Sequence, residues 1–228
     1  MPVLLLTMIV ATGSTGCREP RGDQAPSGDI CINPPKEIRQ TYDCLRAWHS
    51  RGAYTAMRPY LDPNTGEDLI DLLVAMDELL AANAGTQAAI RQACPELDPR
   101  RYDLAYIEQY MGFLSKDVEY VRERDKGDQA VVVVQVGGRM PLEELQFRRY
   151  RETRGPSRWI YLPGSDVPQL VPLIREVAGA LSQITLVLST SKKATPEEVR
   201  NEFEIRIQRR IMKKVAAMME KAAASQPD

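Results

Sequence analysis

The sequence predicts an α+β protein: N-terminal helices packed on a curved four-stranded antiparallel sheet, followed by a C-terminal helical extension. Three observations predict it. Apolar residues recur at helical spacing from residue 38 to about residue 113, and residues 129–136 form a β-branched run followed by two further strand-like segments. From residue 167 the helical texture returns and continues to about residue 224. Strands grouped in one block between helices argue for segregated layers, not an alternating parallel sheet.

The chain opens with an uncharged apolar run, residues 3–10, that passes through Ser14, Thr15 and Gly16 into Cys17. A membrane span needs about 20 apolar residues, a secretory h-region only about 7 to 15, so residues 1–16 read as a signal peptide. Small residues leading into a cysteine resemble the lipobox of bacterial lipoproteins. That resemblance implies lipid attachment at Cys17, with acyl chains such as palmitate. It also implies a place in the cell envelope, anchored to a bacterial membrane and facing the periplasm or the exterior. Residues 17–34 are rich in Pro, Gly and charge and poor in apolar side chains, which predicts a flexible tether. The tripeptide Arg21-Gly22-Asp23 within it matches an integrin-binding signal, a short motif that recurs by coincidence.

Charge and cysteine content narrow the function classes. Lys and Arg number 30 against 31 Asp and Glu, so there is no overall field to draw nucleic acid. With Cys17 acylated, Cys31, Cys44 and Cys94 remain, and in an oxidising envelope Cys44 can pair with Cys94, or Cys31 with Cys44. Their spacing fits no zinc pattern and the chain has one histidine, so no metal is expected.

The elements follow in order. Ile38, Tyr42, Leu45, Ala47 and Trp48 mark an amphipathic helix that ends by Gly52, and a short helix or turn covers residues 53–61. Asp62, Asn64 and Asp68 superficially match a calcium loop, but the twelfth position is Leu73 where a bidentate Glu is needed. The spacing instead predicts a helix capped by Thr65, with Asp68 completing a capping-box-like start and Leu69, Leu72, Leu73, Met76, Leu79 and Leu80 on its buried face. Further helices are predicted over residues 86–94 and 99–113.

Residues 117–124 alternate, Asp125-Lys126-Gly127-Asp128 is a tight-turn signal, and residues 129–136 read as a buried strand. Residues 142–151, with Leu145 and Phe147 on one face, and residues 158–162, with Trp159 and Tyr161, supply two more strands. Helices, then a curved antiparallel sheet with a Gly127-Asp128-Gln129-Ala130-Val131 lead-in and a closing Trp159 strand, are similar to the nuclear transport factor two-like superfamily, the cystatin-like cone fold. The resemblance covers residues 35–163. It implies a cone whose mouth holds a small apolar ligand and a sheet that often makes dimers, but no activity, because the fold hosts enzymes, binders and scaffolds.

Enzymes of that superfamily place a carboxylate, Tyr or His on inward-facing positions of an apolar cone. Asp43, Tyr42, Tyr54, Tyr102 and Tyr106 are candidates to line such a pocket, and His49 is the only histidine. Its position on the last turn of the first helix suits a macrodipole-favoured cation better than a catalyst. Ser189-Thr190-Ser191-Lys192 fits the Ser-x-x-Lys nucleophile pattern, but the companion signals of that class are missing. No catalytic residue is assigned and no cofactor is expected.

Residues 167–188 predict a largely buried helix. Thr195-Pro196-Glu197-Glu198 is a strong helix start leading to a long helix in which Phe203, Ile207, Ile211, Val215 and Met218 form an apolar stripe opposite Arg206, Arg209, Lys213 and Lys214. The stripe reads either as core packing or as a face for a partner or anionic lipid. The sequence thus points to a lipid-anchored envelope protein acting as a noncatalytic binding or assembly module, with a protein partner, a homodimer mate or a small apolar ligand. Its alternatives are an isomerase- or hydratase-type enzyme of the same superfamily, or a membrane-surface scaffold working through the C-terminal helix.

Overall fold

Helical periodicity and strand alternation become, among the described residues of a computed structural model, four α-helices and four strands. The structure describes residues 31, 37–105, 107, 112–114, 117–138, 142–151, 157–191, 193–209, 211 and 213–214. The elements are α1 (Ile38–His49), α2 (Gly66–Ala93), β1 (Val118–Asp125), β2 (Gln129–Val136), β3 (Glu143–Tyr150), β4 (Arg158–Leu162), α3 (Val167–Thr190) and α4 (Pro196–Phe203), which runs on into a π-helical turn, Glu204–Gln208. The signal peptide, the Arg21-Gly22-Asp23 tripeptide, Cys17, Tyr106, Val215 and Met218 lie outside the described residues.

The protein is α+β with an open antiparallel meander in the order β1-β2-β3-β4. Gly127, at φ +84°, turns β1 into β2, and the Asp125 carboxylate accepts from the Gly127 amide at 2.8 Å. The helices are not gathered ahead of the sheet, and the long helix α2 packs chiefly on α3. Two cores result. In the first, Ile38, Tyr42 and Leu45 of α1 cover the inward parity of the sheet: Ala130, Val132, Val134, Leu145, Phe147, Trp159 and Tyr161. In the second, Leu72, Met76, Leu79 and Ile90 of α2 meet Val171, Ile174, Leu181 and Ile184 of α3 and Val199 and Phe203 of α4. This core joins residues on both sides of the division expected at residue 163.

α2 is a single 28-residue helix, where separate helices over 66–80 and 86–94 were predicted. Its start also differs from expectation, because Thr65 makes no side-chain cap. Asp62 does that work: one carboxylate oxygen accepts from the Asn64 amide at 2.8 Å and the Thr65 amide at 3.3 Å, while the other pairs with Arg148 of β3. The same segment closes one edge of the sheet, since Leu61 bridges Tyr161 and the Asp62 amide donates to the Tyr161 carbonyl at 2.9 Å. Asp62→Ala is therefore expected to cost about 2 kcal/mol, below the usual loss for a fully buried pair because Arg148 is 40% exposed. Chemical denaturation read by circular dichroism checks it; an unchanged midpoint would remove this role.

α3 is buried along one face, not around most of its girth: Leu181 and Ile184 are fully covered, whereas Leu186 is 66% exposed. It is long and apolar enough to cross a membrane by length and composition, yet its apolar face is packed in the second core. At α4 the helix start expected at Thr195 is formed, and Glu198 completes a capping box with it. The π turn sets residues five apart on one side of the helix, so Arg209 reaches Glu204 at 2.7 Å.

The structure pairs Cys31 with Cys44, their Cα atoms 5.5 Å apart, and leaves Cys94 a buried free thiol. A Cys44–Cys94 bond is excluded by packing: Cys44 lies in the first core and Cys94, at the end of α2, in the second. The expected partner face is corrected too. Phe203, Ile207 and Ile211 are between 6% and 8% exposed and belong to the second core. Three of the basic residues beside them are paired, Arg206 with Glu202, Arg209 with Glu204 and Lys214 with Glu176.

Candidate functional site

The inner face of the sheet carries one group that hydrophobic packing does not explain. Glu143 opens β3 opposite Val134, on the same parity as the buried Leu145 and Phe147, so its side chain is directed toward α1 and is half-buried. Among the described residues it makes no hydrogen bond or ion pair, and burial raises its carboxyl above the usual 4.5.

Two phenols, from α1 and β4, stand near it. Tyr42 of α1 is buried and its hydroxyl donates to the Phe113 carbonyl; Tyr161 of β4 is 6% exposed and stacks at 5.5 Å on both Phe113 and Phe147. Burial pushes both phenols upward, joined at Tyr161 by the negative charge of Glu143 and opposed at Tyr42 by Arg46, so they remain protonated donors. The Tyr161 hydroxyl makes no hydrogen bond among the described residues. Asp43, also raised by burial, is held down by Arg46 and Arg39, and Arg46 approaches it at 4.0 Å. Those two arginines lie over aromatic faces, Arg46 on Tyr42 at 5.7 Å and Arg39 on Tyr120 at 5.1 Å.

The arrangement is a half-buried carboxyl beside two buried phenols and their neighbouring rings. A carboxyl with raised proton affinity and a neighbouring phenol can bind a polar group or move a proton. A carboxylate raised in the fold disfavours the folded state once ionised. Its effect is nil well below pH 4.5 and grows as pH rises through the folded value, because the native state there holds the proton more tightly. Glu143→Gln is thus expected to raise Tm at pH 7 by about 2 °C and to have no effect at pH 3, read by calorimetry at the two pH values. An equal gain at both would place the carboxyl in solvent.

The other predicted site residues scatter. The Tyr54 hydroxyl donates to Asp77 at 2.5 Å on the surface, and Tyr102 packs on Phe203 at 4.5 Å in the second core. His49 sits on the last turn of α1, 6.0 Å from the Tyr54 ring. The Thr190 and Ser191 hydroxyls donate to the Val187 carbonyl at the end of α3. No three His, Cys, Asp or Glu side chains among the described residues are grouped to hold a metal. An open groove of about 390 Å³, lined by Arg91, Pro95, Leu97 and Arg100, lies at the end of α2 and not on the sheet. Sequence reading reached Tyr42 and Asp43 but missed Glu143 and Tyr161, although the alternation through Leu145 and Phe147 marks Glu143 as inward. No protein family, curated protein or solved structure matches the chain.

Proposed function

We infer that this is an exported bacterial envelope protein, lipid-anchored through Cys17, that acts as a noncatalytic binding or assembly module. The observation that carries the reading is the Cys31–Cys44 disulfide, because such bonds persist in oxidising compartments and are rare in the cytosol. In this reading the tether ends before residue 31, short of the expected residue 34, because the bond fastens Cys31 to α1 and the first core and the Tyr60 hydroxyl donates to the Cys31 carbonyl at 2.5 Å. Anchoring by more than one acyl chain is stable, where one alone is marginal. The finer fold reading, a nuclear transport factor two-like cone, draws support from α1 lying across the inner face of an antiparallel meander that ends in the Trp159 strand. Rings fill that inner face, which favours binding at its rim over a deep catalytic cavity.

Detergent phase separation tests the anchor. Protein made in a bacterial host should enter the detergent phase and move to the aqueous phase on Cys17→Ala; identical partition of the two would overturn it. A second reading, an isomerase- or hydratase-type enzyme, is favoured by one observation, the half-buried Glu143 beside Tyr161, without a partner among the described residues. Thermal-shift screening with small apolar carbonyl compounds separates the two: stabilisation lost in Glu143→Gln supports a reactive site, and its absence supports the module. The scaffold alternative is not retained, because the described part of its stripe, Phe203, Ile207 and Ile211, is core.

A further inference from the structure

We propose that the outer edge of β1 docks a second copy of this chain, pairing β1 antiparallel to β1 and joining two four-stranded sheets into one. This deepens the assembly reading above without relying on acylation. The two edges of the sheet differ. The β4 edge is closed by Leu61 and Asp62, whereas β1 has no outer partner among the described residues, and beyond Val118 its side chains are exposed or half-exposed. Unpaired backbone groups along such an edge are competent to add a strand.

The edge is complementary to itself. About a two-fold axis between Val121 and Arg122, antiparallel pairing sets Glu119 opposite Arg124, Tyr120 opposite Glu123 and Val121 opposite Arg122, each twice. Slipping the register by one residue in either direction sets Glu119 against Glu123 or Arg122 against itself, and directly opposed like charges are destabilising. The β-bulge between Tyr120 and Arg122 adds one residue to β1 at the centre of that contact. It brings Tyr120 and Glu123 onto one face of the sheet, where the Tyr120 hydroxyl already donates to Glu123 at 2.5 Å. Val121, 44% exposed, falls at the centre of the contact.

Sedimentation velocity of the full chain in mild detergent, over a micromolar concentration series, tests the pairing. The expected result is a monomer–dimer equilibrium that Arg124→Glu weakens by about tenfold or more and that the charge swap Glu119→Arg with Arg124→Glu restores. Glu144→Gln, which removes the partner of Arg124 within its own chain at 3.7 Å, should leave the dimer intact. A monomer at every concentration would mean that the charges guard the edge, and a dimer indifferent to Arg124→Glu would place the contact elsewhere; either overturns the proposal. A monomer that still carries its lipid overturns only this pairing, whereas a dimer without lipid overturns only the anchor.

Discussion

Replacing Phe203 with alanine is expected to cost about 4 kcal/mol and to lower Tm by about 10 °C. The reason is position. Phe203 is 6% exposed at the end of α4, its ring 4.5 Å from that of Tyr102, within the core that also holds Val199, Ile207, Leu181 and Ile184. Truncation removes that burial and leaves a cavity between helices held from several sides. Ile207→Ala should cost about 3 kcal/mol for the same reason. Neither change should alter binding to anionic vesicles, since neither side chain reaches solvent. Retained Tm with weakened vesicle binding would return the stripe to the membrane.

Cleaving the Cys31–Cys44 bond is the second large effect. The bond closes a loop across 13 positions, and releasing such a loop is worth about 3 kcal/mol in the unfolded-chain account, or about 9 °C in Tm for a chain of this size. The double variant Cys31→Ser with Cys44→Ser should match the reduced protein, while Cys94→Ala should lie within about 1.5 kcal/mol of wild type. Scanning calorimetry with and without reductant checks all three. Sensitivity to reductant that survives in Cys31→Ser but vanishes in Cys94→Ala would favour the pairing of Cys44 with Cys94.

How far the sequence carries the structure depends on the range of the signal. Local chemistry is legible: the helix start at Thr195, the Gly127 turn and the buried β2 run are each set within a few residues. Partners are not. The stripe through Phe203 and Ile207 reports that one face is apolar but not that α2 and α3 cover it. The split expected in α2 arose from a weakly patterned alanine-rich stretch. There the helix approaches α3, and the Thr86 hydroxyl donates to the Leu181 carbonyl at 3.1 Å. The cap by Asp62 was hidden because its other oxygen serves Arg148, 86 residues away.

The candidate site divides the same way. Tyr42 and Asp43 stand out on α1, and strand parity points Glu143 inward, but a charged residue on a strand ordinarily reads as solvent-facing. Only the fold sets it beside Tyr161.

The most direct test of an anchored, exported module is intact-mass analysis of the protein recovered from a bacterial host without reductant. The predicted species begins at Cys17, carries diacylglycerol and an amino-terminal acyl chain, and is lighter by the two hydrogens of one disulfide. A chain that retains Met1, with no lipid and all four cysteines reduced, would contradict export, anchor and disulfide together.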